Sequence, residues 1–351
     1  MGCCCWWWWW WLPVAVLPLL CALLRSAVRC PAPPLVVPAL RGRTAVVTGG
    51  SGGIGEAVAR ELARGGARVV LATRNALRGE AAARRIRRDT GNAEVLFMPL
   101  DLSSFRSVRS FATAFLQQEP HLHLLINNAG VSAAGTTENG FSLTFQVNHL
   151  GHFLLTQLLL RRLQRSAPSR VVIVASSAHC AGRLRTAELG RAPPGPFAAF
   201  RDYCDSKLAN VLHARQLAAN LRGTGVTVYA AHPGTGSPVR SVRGAAVRPG
   251  HRAPLPAGLV NTRLFRHAPL WLRPLWTPLS RFCFRSAAEG ARTVLFCATQ
   301  DGLEPLSGRY FADCRPARPW ARGRDDAAAR ELWALSERLL GLRASSGTPV
   351  E

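Results

Sequence analysis

The chain has 351 residues, 48% of them hydrophobic and 18% charged, a globular composition with length for one large α/β domain and appendages. Its formal charge of +24 is scattered in ones and twos among apolar helices, with no zinc-finger spacing and no basic run interleaved with aromatics, so nucleic acid is not read as a partner. The ten cysteines form no CxxC pair and no Cys/His spacing that would hold a metal, the pattern of free thiols in a reducing compartment.

Trp6 to Leu24 is uncharged and close to the length of a bilayer-crossing helix. Arg25, Arg29, Arg41 and Arg43 follow it and no basic side chain precedes it, so the positive-inside rule leaves the rest of the chain on the cytosolic side. The rival reading, a cleaved signal peptide, lacks the usual basic start and a clean cleavage site. Residues 1–39 are therefore expected to be a transmembrane anchor and linker. Cys3 to Cys5 are candidates for palmitoylation.

Thr44 to Val47 is a short apolar strand running into Thr48-Gly49-Gly50-Ser51-Gly52-Gly53-Ile54-Gly55, and a helix with apolar Ala57, Val58 and Leu62 follows. A strand, glycine turn and helix in that order let the backbone approach a pyrophosphate at the positive end of the helix. The next strand, Arg68 to Ala72, ends at Thr73-Arg74, where an enzyme selecting NAD carries an acid for the ribose 2′-hydroxyl; Arg74 suits a 2′-phosphate instead. Arg43 is a second candidate for that phosphate. Val95 to Leu100 leads to Asp101-Leu102, and Leu124 to Ile126 leads to Asn127-Asn128-Ala129-Gly130, positions where strand ends of a doubly wound sheet line a cofactor crevice.

Asn148 falls inside a long helical stretch whose apolar positions continue through Leu154, Leu155, Leu158 and Leu159, and the strand Val171 to Ala175 delivers Ser176 and Ser177. Tyr203-Cys204-Asp205-Ser206-Lys207 then opens a helix continuing through Leu208, Val211 and Leu212. Lys207 is the only lysine in an arginine-rich chain, and the four-residue interval puts it on one helix face with Tyr203. Cys204 reads as packing beside that pair. Asp325 and Asp326 open a final amphipathic helix with Leu332, Trp333, Leu335 and Leu339.

Thr48 to Gly55, Asn127 to Gly130, Asn148, Ser176, Tyr203 and Lys207 together resemble the classical short-chain dehydrogenase/reductases. The words Arg41 to Thr44, Leu71 to Arg74, Ala178-His179, Ser206 to Leu212, Ala231 to Gly234 and Ser307 to Phe311 are similar to the retinol dehydrogenase branch. The resemblance covers 40–342 and implies a Rossmann parallel sheet of about seven strands in the order 3-2-1-4-5-6-7. It implies that Tyr203 is the general acid or base, that Lys207 holds the nicotinamide ribose and, with the positive nicotinamide, lowers the tyrosine pKa, and that Asn148 holds a relay water. Ser176, rather than Ser177, would bind the substrate oxygen. The cofactor, NADP(H) in preference to NAD(H), would be held by Thr48, Gly49, Ser51, Gly53, Ile54, Gly55, Arg74, Asp101, Leu102, Asn128, Ala129, Gly130, Tyr203, Lys207, Pro233 and Gly234. The expected reaction interconverts a lipophilic, retinaldehyde-like aldehyde or ketone with its alcohol, at the endoplasmic reticulum membrane or a lipid droplet. Family members often pair as homodimers through the helices that carry Asn148 and Tyr203.

The chain departs from the family after His232-Pro233-Gly234. The expected Val-Asn-Thr word comes late, at Val260-Asn261-Thr262, because Thr235 to Gly258 intervenes, rich in Arg, Pro and Gly, without an acid and with little apolar periodicity. It reads as disordered, either a surface loop or, as its composition favours, a retained intron translated in frame. The alternative to an enzyme is thus a non-catalytic NADP(H)-binding membrane scaffold inactivated by the insert. Leu264 to Phe284 mixes tryptophans with arginines, as a segment resting on the bilayer would, or an ordinary lid helix. Residues 343–351 are expected to be a disordered tail.

Overall fold

The computed structural model describes residues 37–195, 197–234 and 286–342. The expected anchor at Trp6 to Leu24, the insert at 235–258, the Val260-Asn261-Thr262 word, Leu264 to Phe284 and the tail lie outside these residues. Among the described residues no helix is long and apolar enough to cross a membrane.

Strands β1 (Thr44–Thr48), β2 (Arg68–Thr73), β3 (Val95–Pro99), β4 (Leu124–Asn127), β5 (Ser169–Val174), β6 (Val226–His232) and β7 (Tyr310–Ala312) form a parallel sheet in the order 3-2-1-4-5-6-7. Each crossover carries a helix: α1 (Gly53–Arg64), α2 (Ala76–Thr90), α3 (Phe105–Gln118), α4 (Gly151–Arg165), α5 (Ala198–Asn220) and α6 (Ala287–Thr299). Successive strand residues face opposite sides, so Val46, Leu125 and Ile173 join the core under α3, α4 and α5. Val47, Ile126 and Val172 join the core under α1, α2 and α6. Both faces of the sheet are buried, which is why its strands read as unbroken apolar runs.

The expected seven strands become eight. Strand β8 (Arg315–Ala317) adds to β7 as an antiparallel hairpin, its turn formed by Asp313 and Cys314 at φ 51° and 56°. Its residues Arg-Pro-Ala carry no apolar alternation, and Pro316 is admissible only because the strand is an edge. Nothing in that tripeptide announces a strand.

The final helix, α7 (Asp326–Leu339), begins where Asp325 accepts the Ala328 N–H at 3.0 Å. It lies across α4 and α5. Leu332 packs in one cluster with Leu208 and Leu212, and the Trp333 ring stands 4.8 Å from Phe153 and 5.9 Å from His213. Leu332 is 2% exposed, so Leu332→Ala should leave a cavity and cost about 2–5 kcal/mol. Thermal unfolding of the variant is expected to show a Tm several degrees below the parent.

Candidate active site

The parallel strands bring the carboxyl ends of β1, β2, β4 and β5 to one edge, and the side chains singled out in the sequence collect there. Gly49 and Gly53 adopt φ of 67° and 60°, a left-handed backbone that favours glycine. A Cβ on Gly55 would stand 2.5 Å from both Asn128 Nδ2 and the Gly49 carbonyl oxygen. The turn is therefore closed against the Asn128 loop and bare of side chains where α1 begins, a cradle that fits the pyrophosphate of a dinucleotide. At its rim Ser51 Oγ lies 3.0 Å from Thr73 Oγ1, and the exposed Arg74 has its Nε 3.9 Å from Asp101 Oδ2. Asp101 accepts from Ser103 N–H and Oγ at 2.9 and 2.6 Å, which fixes its carboxylate beside that rim.

Thr48, the last residue of β1, binds that strand to the end of β4. Its Oγ1 accepts the Asn128 and Ala129 N–H groups at 2.8 and 3.0 Å, while Asn128 Nδ2 donates to the Thr48 carbonyl at 2.9 Å. The helix before α4 begins with a single turn, Leu143–Phe145, and then widens to π geometry over Gln146–Leu150. Asn148 sits in that widened turn, a type of distortion that concentrates at functional sites. Its Oδ1 accepts Val131 N–H at 2.8 Å, and its two amide hydrogens go to the Val131 carbonyl and Ser206 Oγ, each at 2.9 Å. The amide is thus fully engaged in holding the loop after β4 and the Ser206 hydroxyl.

Helix α5 carries Tyr203 and Lys207. It begins five residues before Tyr203, at Ala198, rather than at Tyr203, so the tyrosine lies in an established turn. Lys207 is 3% exposed; its Nζ donates to the Val174 carbonyl at 3.0 Å and lies 5.5 Å from the Tyr203 ring centroid. Burial pulls the ammonium down to about 8, which leaves it largely charged at neutral pH. Burial pushes the Tyr203 phenol up to about 12, against the pull of its hydrogen bond with Ser176. The lowering that the resemblance implies involves Lys207 together with the positive nicotinamide; in the protein by itself burial outweighs the Ser176 hydrogen bond. Ser176, at the end of β5, accepts Ala178 N–H at 3.2 Å through its Oγ, and its hydroxyl hydrogen is left for Tyr203 or a substrate oxygen. Ser177 starts the following 3₁₀ turn.

Pro233 and Gly234 close the described part of the β6 end, with Gly234 at φ 96°. Arg43 is corrected: its Nη1 donates to the Pro168 carbonyl at 3.1 Å, at the opposite end of β1, about 16 Å of strand from the glycine turn. Cys204 is buried and its thiol is pushed up to about 12, foremost by burial, so it is inert packing.

The model of the short chain dehydrogenase family matches residues 43–242, more than half of the chain. This chain is a short-chain dehydrogenase. It is 54% identical to human Dehydrogenase/reductase SDR family member 13 over 86% of this chain and 74% of that one, and 47% identical to human Retinol dehydrogenase 12 over 87% and 88%. The solved Pseudomonas aeruginosa RhlG/NADP active-site complex superposes with a TM-score of 0.56 at 26% identity, covering 78% of this chain and 95% of that one. As a member of this family the dehydrogenase is an oxidoreductase of CH–OH and carbonyl groups that binds a nicotinamide cofactor.

Two supporting residues of this dehydrogenase were not assigned from the sequence. Ser206 donates to the Tyr203 carbonyl at 2.8 Å and accepts from Asn148, so it joins the helices that carry Asn148 and Tyr203; its place three residues after Tyr203 was the available signal. Asp202, immediately before Tyr203, accepts from Ser142 Oγ and from the Phe145 N–H at the start of the helical stretch that carries Asn148. Burial pushes the Asp202 carboxyl up to about 6, Asp205 adds to the rise, and Ser142, Arg185 and Phe145 oppose it. A raised carboxyl favours the folded state below its ordinary pKa and loses that contribution as pH rises through about 6. Asp202→Asn keeps the acceptor and removes the buried charge. It is expected to raise Tm at pH 8, by about 1 kcal/mol of stability, with the advantage shrinking as pH falls through about 6 and gone only below the ordinary carboxyl value of 3.8; thermal melts at pH 8 and about pH 3 measure it.

Proposed function

We propose that this dehydrogenase is an NADP(H)-preferring reductase of lipophilic aldehydes or ketones, retinaldehyde-like in class, with Tyr203 as its general acid and base. The observation that carries the reading is the convergence of Tyr203, Ser176 and Lys207 at the strand edge that also bears the glycine turn and Arg74. Support for the substrate class comes from the relatives named retinol dehydrogenases. Support for NADP(H) comes from Arg74, which stands where an NAD-selecting acid would, with the exposed guanidinium that a 2′-phosphate needs.

Bound nicotinamide supplies or accepts the hydride. As the carbonyl carbon gains it, the substrate oxygen becomes an alkoxide and takes the proton of Tyr203 Oη, which burial keeps on the phenol. Ser176 Oγ donates a hydrogen bond to the same oxygen and orients it. The phenolate left behind is stabilised by the Lys207 ammonium, whose position is fixed by Val174. A water at the Asn148 main-chain carbonyl returns the proton. In oxidation the same groups run in reverse, and Lys207 then favours the phenolate against the desolvation that raises it.

The proposal places the protein at the endoplasmic reticulum or a lipid droplet, held by Trp6 to Leu24, with the domain facing the cytosol and substrate arriving through membrane lipid. A homodimer through α4 and α5 would have to accommodate α7, which covers Phe153 and His213.

The purified full chain with NADPH is expected to reduce retinaldehyde. Tyr203→Phe should cut kcat by at least about 10²–10⁴ with NADPH affinity retained; an unchanged rate would reject the mechanism. Arg74→Ala should reduce the ratio of NADPH to NADH turnover. Deleting 235–258 should preserve or raise activity. NADPH binding without turnover in both the full chain and the deletion variant would favour the scaffold reading, and loss of activity on deletion would make the insert functional.

A further inference from the structure

The loop Asn127 to Val131 forms one wall of the cofactor crevice, and it is held along its length by one stripe of buried polar side chains on the helical stretch from Gln146 to Arg165. Asn148, His152 and Thr156 recur at intervals of four, and all are 1% exposed or less. Thr156 Oγ1 accepts from Asn127 Nδ2 at 2.9 Å, and Asn148 holds Val131. Between them His152 Nε2 lies 2.8 Å from Thr48 Oγ1, and its Nδ1 lies 3.2 Å from the Asn148 carbonyl oxygen.

Counting hydrogens fixes what His152 does. Thr48 Oγ1 already accepts two N–H groups, from Asn128 and Ala129, so both lone pairs are used and its one hydrogen must be donated. The two acceptors in reach are the Ile126 carbonyl at 3.3 Å and His152 Nε2 at 2.8 Å. An accepting Nε2 requires the ring proton on Nδ1, and Nδ1 faces the Asn148 carbonyl, which can only accept. The two contacts demand the same tautomer, and full burial keeps the ring neutral.

We propose that His152 is a positioning residue for dinucleotide binding. By taking the Thr48 hydrogen it orients the hydroxyl toward Asn128 and Ala129, and by donating to Asn148 it ties that clamp to the turn holding Val131. The cofactor wall is thereby locked at both ends to one helix.

The inference rests on the family's nicotinamide cofactor, not on the substrate or on NADP(H) preference, so NADPH and NADH are both used as probes. Dissociation constants are measured by fluorescence on the purified full chain. His152→Gln retains an acceptor able to reach Thr48, whereas His152→Asn is too short. The glutamine variant is expected to bind both nucleotides within about threefold of the parent, and the asparagine variant about tenfold more weakly. Thr48→Val should weaken binding alike, and adding His152→Asn to it should change the dissociation constant little, because the shared bond is already gone. Equal affinities for the glutamine and asparagine variants would overturn the proposal. So would full additivity in the double variant, or loss of Tm with nucleotide affinity unchanged. If the parent chain binds neither nucleotide, the cofactor assignment itself fails, a result distinct from all of these.

Discussion

The end of strand β1 is joined to the end of β4 by one hydroxyl, Thr48 Oγ1, and the site depends on that junction. Parallel strands end with their last carbonyls and amides unpaired, and at this edge those groups must be satisfied without filling the crevice. Thr48 answers two amides of the following loop with a single oxygen, and the glycine turn beyond it can then fold back without a Cβ to meet Asn128. On the catalytic side the Val174 carbonyl has the same place in the fold. It accepts both Lys207 Nζ and Asn210 Nδ2, so the end of β5 fixes the helix that carries Tyr203.

Desolvation dominates the electrostatics of this site. The lysine falls and the tyrosine rises, each toward its neutral form, because both are buried and neither has an opposite charge to answer it. The Ser176 hydrogen bond opposes the rise of the phenol, and the Val174 carbonyl holds the ammonium in place.

Much of this was legible in the sequence because the relevant constraints are local or periodic. The glycine spacing, the apolar strand runs, the interval from Tyr203 to Lys207 and the Asp325 cap each encode a backbone geometry that a few neighbouring residues determine. The strand order 3-2-1-4-5-6-7 came from the family resemblance and holds in the sheet. What was not legible depends on partners distant along the chain. Arg43 looked like a phosphate ligand until its place at the far end of β1 was known, and β8 exists because a chain segment with no strand pattern meets an open edge. The π-helical turn at Asn148 is announced by no local propensity. Asp202 and Ser206 gained their roles only when partners 60 and 58 residues away, Ser142 and Asn148, were brought to them.

Helix α7 extends the catalytic architecture beyond the sheet. His149, next to Asn148, has its Nε2 3.1 Å from Ser336 Oγ, and the rings of His149, His213 and Trp333 pack around Phe153. The carboxyl-terminal helix therefore buttresses the same two helices that carry Asn148 and Tyr203.

The solitary lysine has a consequence outside catalysis. Its ε-amine is the only one in the chain, and the fold places it at 3% exposure against a strand-end carbonyl. The folded domain thus presents no lysine to solvent for acetylation, methylation or ubiquitin attachment. Any lysine-directed modification would have to reach that buried amine; acetylation or ubiquitin attachment there would remove the ammonium charge, whereas methylation would keep it.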